Sequence, residues 1–131
     1  AVRLEARLDG ELPAARCAPE QVERVLLNLL TNALRHTPSD GAVVVAARPV
    51  GPELEISVED SGEGIEPGDE TRMFDRFWRA DRARARSGGG AGLGLAIARG
   101  LVEAQGGRIW AERRAEGGAR IAFTLPLAER S

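Results

Sequence analysis

Lysine is absent. All 18 basic residues of this 131-residue chain are arginines, which removes two common phosphate-handling frameworks at once. A P-loop needs Gly-Lys-Ser/Thr, and the eukaryotic-type protein kinase fold needs a strand lysine on the phosphates. Histidine and cysteine occur once each, too few for a tetrahedral zinc site without help from carboxylates. The single histidine, His36, lies close to Pro38 with no nucleophile motif nearby, so a hydrolytic triad lacks its parts. Cys17 has no partner for an internal disulfide, which favours a reducing compartment. The longest uninterrupted apolar run, Ala42 to Ala47, is far short of a membrane span. No signal-peptide pattern opens the chain. A net charge of −2 gives no overall attraction to nucleic acid or an anionic membrane.

What remains is an ordinary globular balance, 43% apolar and 29% charged, in a length that suits one core. Val2, Leu4, Ala6 and Leu8 alternate with Arg3, Glu5 and Arg7, the period of a half-buried strand. Pro19 precedes a helical pattern in which Val22, Val25, Leu26, Leu29, Leu30 and Ala33 share one face, and Pro38 ends it. Val43 to Val50 and Leu54 to Val58 read as strands joined by a Gly51-Pro52 turn. A short amphipathic helix is predicted around Met73 to Trp78 and an irregular Arg- and Gly-rich stretch at 79–91. A helix is expected from Leu93 to Ala104, stopped near Gly106-Gly107. Arg108 to Arg113 and Arg120 to Leu125 make a closing hairpin around Gly117-Gly118. There are no repeats and no linker, and this order of elements predicts an α/β two-layer sandwich with a mixed sheet.

Three segments break their own local rules. Asn28 and Asn32 stand mid-helix one turn apart, with Arg35 and His36 a further turn along. Asparagine competes for backbone hydrogen bonds and is a mediocre helix former. This polar ridge fits either a solvated helix edge or a pocket wall in which amide oxygens meet Mg²⁺ and Arg35 meets phosphate. Asp60-Ser61-Gly62-Glu63-Gly64 follows a strand, where a carboxylate can accept from the exocyclic amine of adenine and glycines let backbone approach a flat ring. Gly88-Gly89-Gly90-Ala91-Gly92-Leu93-Gly94 abuts an apolar helix, so it reads either as a flexible loop or as a phosphate cradle at a helix N-terminus. Its Gly-x-Gly-x-Gly spacing is not that of a dinucleotide fold. Arg72, Arg76, Arg79, Arg82, Arg84 and Arg86 crowd the segment between the two glycine motifs. Alone they would be a solvated face or nucleic-acid patch; between a base site and a phosphate site they read as a mobile lid.

Taken together, these segments resemble the catalytic ATP-binding domain of bacterial sensor histidine kinases, the Bergerat-fold group that also includes DNA gyrase, the large heat-shock chaperones and the mismatch-repair ATPases. The N box is Gln21 to Pro38, the G1 box Asp60 to Ile65, the F box Met73 to Asp81 with Phe74, Phe77 and Trp78, and the G2 box Gly90 to Ile97. The resemblance covers nearly all of residues 1–131. It implies a left-handed β-α-β layer of about five strands backed by three helices, with an ATP lid. It further implies that Asn32 helps hold Mg²⁺, that Asn28 supports the metal or phosphates, and that Arg35 and His36 face phosphate and the base or sugar. Asp60 would read the adenine amine; Gly62, Gly64, Ile65 and Phe77 would shape the base pocket; Gly90, Gly92, Leu93, Gly94 and Leu95 would carry the lid against the phosphates.

Hydrolysing members of the group resemble Glu-x-x-x-Asn at this helix, the glutamate activating water. Here that first position is Asn28, an amide that cannot take a proton, and Glu23, five residues earlier, projects from a different side of the helix. The resemblance therefore implies phosphoryl transfer, not hydrolysis, with the acceptor histidine on a separate dimerisation domain and a cognate response regulator beyond it. His36 falls at an N-box position and reads as a pocket wall. The piece is expected to be an excised catalytic domain, monomeric and cytoplasmic, its parent anchored in the bacterial inner membrane or not, with no nucleic-acid partner. Two departures from the family pattern stand out. Gln105 replaces a frequent histidine before Gly106-Gly107, and Ala119-Arg120 replaces small hydroxyl residues, implying loss of a water-mediated contact near adenine. The alternatives are a serine kinase acting on an anti-sigma-factor antagonist, set apart by the F box, and an inactive nucleotide-responsive binding module.

Overall fold

A computed structural model of the chain describes residues 2–8, 15, 17–75 and 94–128. The strands are β1 (Arg3–Leu8), β2 (Ala42–Val50), β3 (Glu53–Asp60), β4 (Ile109–Arg113) and β5 (Ala119–Pro126). The helices among the described residues are α1 (Pro19–His36), α2 (Asp69–Arg72) and α3 (Gly94–Ala104). The strands form one mixed sheet in the order β1-β2-β3-β5-β4, in which only the β1–β2 pair is parallel. The expected mixed five-stranded sandwich is thus the fold.

Period-2 alternation decides which side of the sheet the helices cover. On β3, Leu54, Ile56 and Val58 face the helices and pair in register with Leu125, Phe123 and Ile121 of β5. Val25, Leu29 and Ala33 of α1, one turn apart, meet them from above, joined by Leu95, Ala98 and Val102 of α3. Apolar residues at i, i+4 and i+8 on α1 fall on one stripe, so one helix face supplies the whole contact. The other side of the sheet is polar: Arg48, Glu55, Ser57, Glu59, Glu112 and Arg120 line a shallow concavity beside Trp110. There Arg120 lies 2.7 Å from Glu55 and 2.8 Å from Glu112, and Glu55 also meets Arg48 at 3.2 Å.

α1 and α3 run side by side in opposite directions and are tied at two points. Asn28 Nδ2 donates to the Gly94 carbonyl at 3.2 Å. Past the other end of α3, the Gln105 side chain accepts the Ala18 N–H at 2.7 Å and donates to the Leu101 carbonyl at 3.0 Å. Ala18 caps α1 without a side-chain hydrogen bond, and Pro19 follows it at the first turn, where a missing N–H costs nothing.

Two expectations change. The alternation in β1 predicts an inward-facing Leu4 and Leu8, yet each is 62% exposed. β1 is an edge strand, and α1 packs over β2 and β3, leaving the last strand uncovered. Ahead of the helix expected over Met73 to Trp78, a short helix forms at Asp69–Arg72, started by the Glu66-Pro67-Gly68 turn; Met73 caps it, and Met73 and Phe74 turn into the core. Residues 76–78 and the irregular stretch 79–91 lie outside the described residues. β3 runs two residues further than the sequence pattern predicts and so ends on Asp60 itself.

Phe123 is fully buried at the centre of the sheet. Truncation by Phe123→Ala is expected to cost about 3–5 kcal/mol, read from the shift in a urea unfolding midpoint at constant slope.

Candidate functional site

Asp60 occupies the fourth inward-facing position of β3, after Leu54, Ile56 and Val58, so the pleat that builds the core also drives a carboxylate into it. Its residue is 5% exposed. The carboxylate accepts the Gly62 N–H at 2.9 Å, and the backbone of Ala119, the residue opposite it on β5, adds a smaller influence in favour of its charge. Burial raises the Asp60 pKa above its ordinary value; the Gly62 and Ala119 hydrogen bonds and the charges of His36 and Arg114 act against that rise.

The loop after Asp60 is fitted to the end of α1 with no room to spare. A Cβ on Gly62 would sit 2.0 Å from the His36 carbonyl oxygen, so only glycine allows this approach. His36 Nδ1 lies 3.6 Å from Glu63 Oε1 across the same junction. Arg35, His36, Thr37, Ser61, Gly62 and Glu63 line a cavity of about 350 Å³ here. Gly64, at φ +84°, turns the chain against Gly118 of the β4–β5 connection. Ile65 then packs, half-buried, on the core.

The remaining expected site residues lie along α1. At 100° per residue, Asn28, Asn32, Arg35 and His36 share an arc of about 100° beside the apolar stripe. Asn28 and Asn32 are half-buried and Arg35 is exposed. The ridge is therefore a boundary between core and solvent, one end at the Gly62 junction and the other at α3. Asn28 to His36 spans about 12 Å of helix axis. The Asn28–Gly94 hydrogen bond gives the amide a structural use: a glutamate here would aim a carboxylate at a carbonyl oxygen. Leu95 is a core residue, 8% exposed. Phe77, Gly90, Gly92 and Leu93 lie outside the described residues. Glu23 is exposed on α1.

The sequence reading missed Arg114 and Gly118 as parts of this neighbourhood, and it gave Glu63 of the G1 box no role. Gly118 had a signal, because a second glycine in a hairpin turn often marks a close approach: a Cβ there would lie 1.9 Å from the Asp60 carbonyl oxygen. Arg114 had none, being one more charge in a charged loop. Of the Ala119-Arg120 pair, only Ala119 borders Asp60. Arg120 points to the opposite side of the sheet, onto Glu55 and Glu112.

Comparison with known proteins fits this geometry. Residues 17–129 match the family described as histidine kinase-, DNA gyrase B- and HSP90-like ATPases, and the chain belongs to that family. It is 46% identical over 112 residues to the sensor histidine kinase WalK of Bacillus subtilis strain 168, covering 84% of this chain and 18% of WalK. The catalytic domain of histidine kinase ThkA superposes with a TM-score of 0.83 at 26% identity, over 98% of this chain and 82% of that one. ThkA is also solved in complex with the response regulator protein TrrA, with a TM-score of 0.80 at 25% identity, over 97% of this chain and 34% of that one. Full-length ShkA in complex with AMPPNP gives a TM-score of 0.85 at 29% identity, over 99% of this chain and 26% of that one. The chain is thus a histidine-kinase-type ATPase domain of the two-component sensor kinases, and it spans about a fifth of the length of WalK. No helix among the described residues is long and apolar enough to cross a membrane.

Two substitutions test the junctions. Gly62→Ala is expected to destabilise by about 1–3 kcal/mol through overpacking on the His36 carbonyl, whereas Gly100→Ala, whose Cβ meets open space on α3, is expected to stabilise by about 0.5–1 kcal/mol. Asn28→Asp is expected to lower stability by about 1 kcal/mol through loss of the bond to Gly94. Urea denaturation of the three variants reads all of these.

Proposed function

We propose that this domain binds ATP with Mg²⁺ and donates the γ-phosphoryl group to a histidine on a separate dimerisation domain, from which a cognate response regulator takes it. The observation that carries the reading is the buried Asp60, whose carboxylate is held by the Gly62 N–H next to the cavity that Gly62 lines with Arg35, His36 and Ser61. That bond leaves acceptor capacity on the carboxylate, which suits the exocyclic amine of adenine. Gly62 and Gly64 keep side chains out of the ring's way.

The donor set on α1 fits the other end of the nucleotide. Asn32 and the Oδ1 of Asn28 are neutral hard oxygens suited to Mg²⁺, while Asn28 Nδ2 is already committed to Gly94. Arg35, exposed at the cavity, offers a fork of donors to phosphate. His36 forms a wall toward base or sugar. Phe77, Ile65, Gly90, Gly92, Leu93, Gly94 and Leu95 complete the nucleotide set in this reading. Mg²⁺, when bound, neutralises phosphate charge. In the transfer, the acceptor imidazole nitrogen forms the N–P bond as the bond to the bridging oxygen breaks, and ADP leaves. The chain contributes positioning and charge neutralisation, which is most of what phosphoryl transfer asks of a protein. Asn28 offers no base to activate water, so hydrolysis is disfavoured. ATP as donor puts the working domain on the cytoplasmic side, and ShkA with AMPPNP and ThkA with its regulator support the nucleotide and the partner.

Titration calorimetry with a non-hydrolysable ATP analogue tests this. Asp60→Asn is expected to weaken binding by about 1.5–3 kcal/mol, the worth of a hydrogen bond to a charged group; unchanged affinity would remove Asp60 from the site. The amine needs the ionised carboxylate, and burial raises the pKa of that group. Affinity is therefore expected to hold at neutral pH and to fall on acidification sooner than an ordinary aspartate would dictate, with His36 and Arg114 as the neighbouring charges. The same titration run down the pH scale, with Asp60→Asn as the pH-insensitive reference, checks the sign.

A further inference from the structure

Arg114 belongs to no motif, yet its side chain crosses from the β4–β5 connection to the end of β3. Its backbone closes the turn: the Arg114 N–H donates to the Gly118 carbonyl at 3.2 Å, and the Gly117 N–H donates to the Arg114 carbonyl at 3.1 Å. Its guanidinium then reaches back 54 residues, with Nη1 donating to the Asp60 main-chain carbonyl at 2.9 Å. Nη2 meets Glu116 at 3.1 Å and Nε lies 3.8 Å from Glu59. The side chain is 24% exposed, so the planar fork is held on three sides.

We propose that Arg114 is a positioning residue for Asp60, fixing the strand end that aims the base-reading carboxylate and making the β4–β5 turn a working part of that site. This rests on the ATP-binding reading above. The Asp60 carbonyl oxygen already faces Gly118 at a distance that excludes any side chain there, so Arg114 holds the same peptide that Gly118 admits. The neighbouring amide, Ala119 N–H, stands opposite Asp60 on β5 and favours the charged carboxylate. A turn that loosens therefore loses the carbonyl contact and misplaces that donor together. Charge alone does not explain the arrangement, because a lysine amine would supply the field without the fixed fork.

The test uses Arg114→Met, Arg114→Lys and, as control on the same hairpin, Arg113→Met, whose side chain is 53% exposed and 3.8 Å from Glu70. Two readouts are taken: hydrogen exchange at the Gly62, Gly118 and Ala119 amides of the nucleotide-free protein, and calorimetric affinity for non-hydrolysable ATP and GTP analogues. Arg114→Met is expected to speed exchange at all three amides and to weaken the ATP analogue about tenfold, with a smaller loss for the GTP analogue. Arg114→Lys is expected to leave most of both defects, and Arg113→Met neither. Unchanged exchange in Arg114→Met overturns the proposal, as does full rescue by lysine, which would assign the effect to charge. If the unmutated chain binds neither analogue, the ATP-binding reading fails, and the exchange data still decide whether Arg114 positions Asp60.

Discussion

A carboxylate that reads a base through hydrogen bonds must be buried to be selective and ionised to accept, and burial opposes ionisation. Much of the architecture around Asp60 answers that conflict. The pleat of β3 takes the side chain into the core, and the backbone N–H of Gly62, helped by the Ala119 amide opposite, then stands in for the water it has lost. Backbone donors are set by the fold and cannot swing away. Each demands a tight approach of main chain to main chain, which is why glycine sits at 62 against His36 and at 118 against Asp60. The cost of keeping the charge is thus distributed into chain geometry on both sides of the strand end.

The same junction couples the base end of the site to α1. The His36 carbonyl, the last of the helix, is the surface against which Gly62 packs, and Asn28 lies two turns back, bonded to Gly94. One rigid helix therefore carries both ends of the candidate nucleotide site, and its register sets their spacing. A helix with Asn28, Asn32, Arg35 and His36 on its boundary arc has to bury its other stripe well, and Val25, Leu29 and Ala33 do so with almost no exposure.

Much of this was legible before any coordinates. The strands of β2, β3 and the closing hairpin announce themselves by alternation and glycine turns, and the Asn28–His36 ridge by its conflict with helix propensity. The edge position of β1 was not legible: Leu4 and Leu8 carry the same alternation as buried strands, and only the sheet order shows that α1 packs over β2 and β3 instead. Arg114 was equally silent, because a bond between a side chain and a carbonyl 54 residues away leaves no local pattern. Gln105 read as a departure from its family; in place it bridges two helices through its amide, accepting with Oε1 and donating with Nε2. The Asp69–Arg72 helix was silent as well, because it buries none of its own residues and so carries no apolar period to read.

That bridge by Gln105, together with the one by Asn28, has a mechanical consequence. From Ala18 to Asn28 along α1 is about 15 Å, and from Gly94 to Gln105 along α3 about 16 Å; the two ties close a near-parallelogram of matched sides. Two antiparallel rods pinned at a single point can scissor, whereas pinned at both ends they translate only as a plate. The stretch of α1 from Ala18 to Asn28 is thus braced against α3 at two points, which opposes rotation between them.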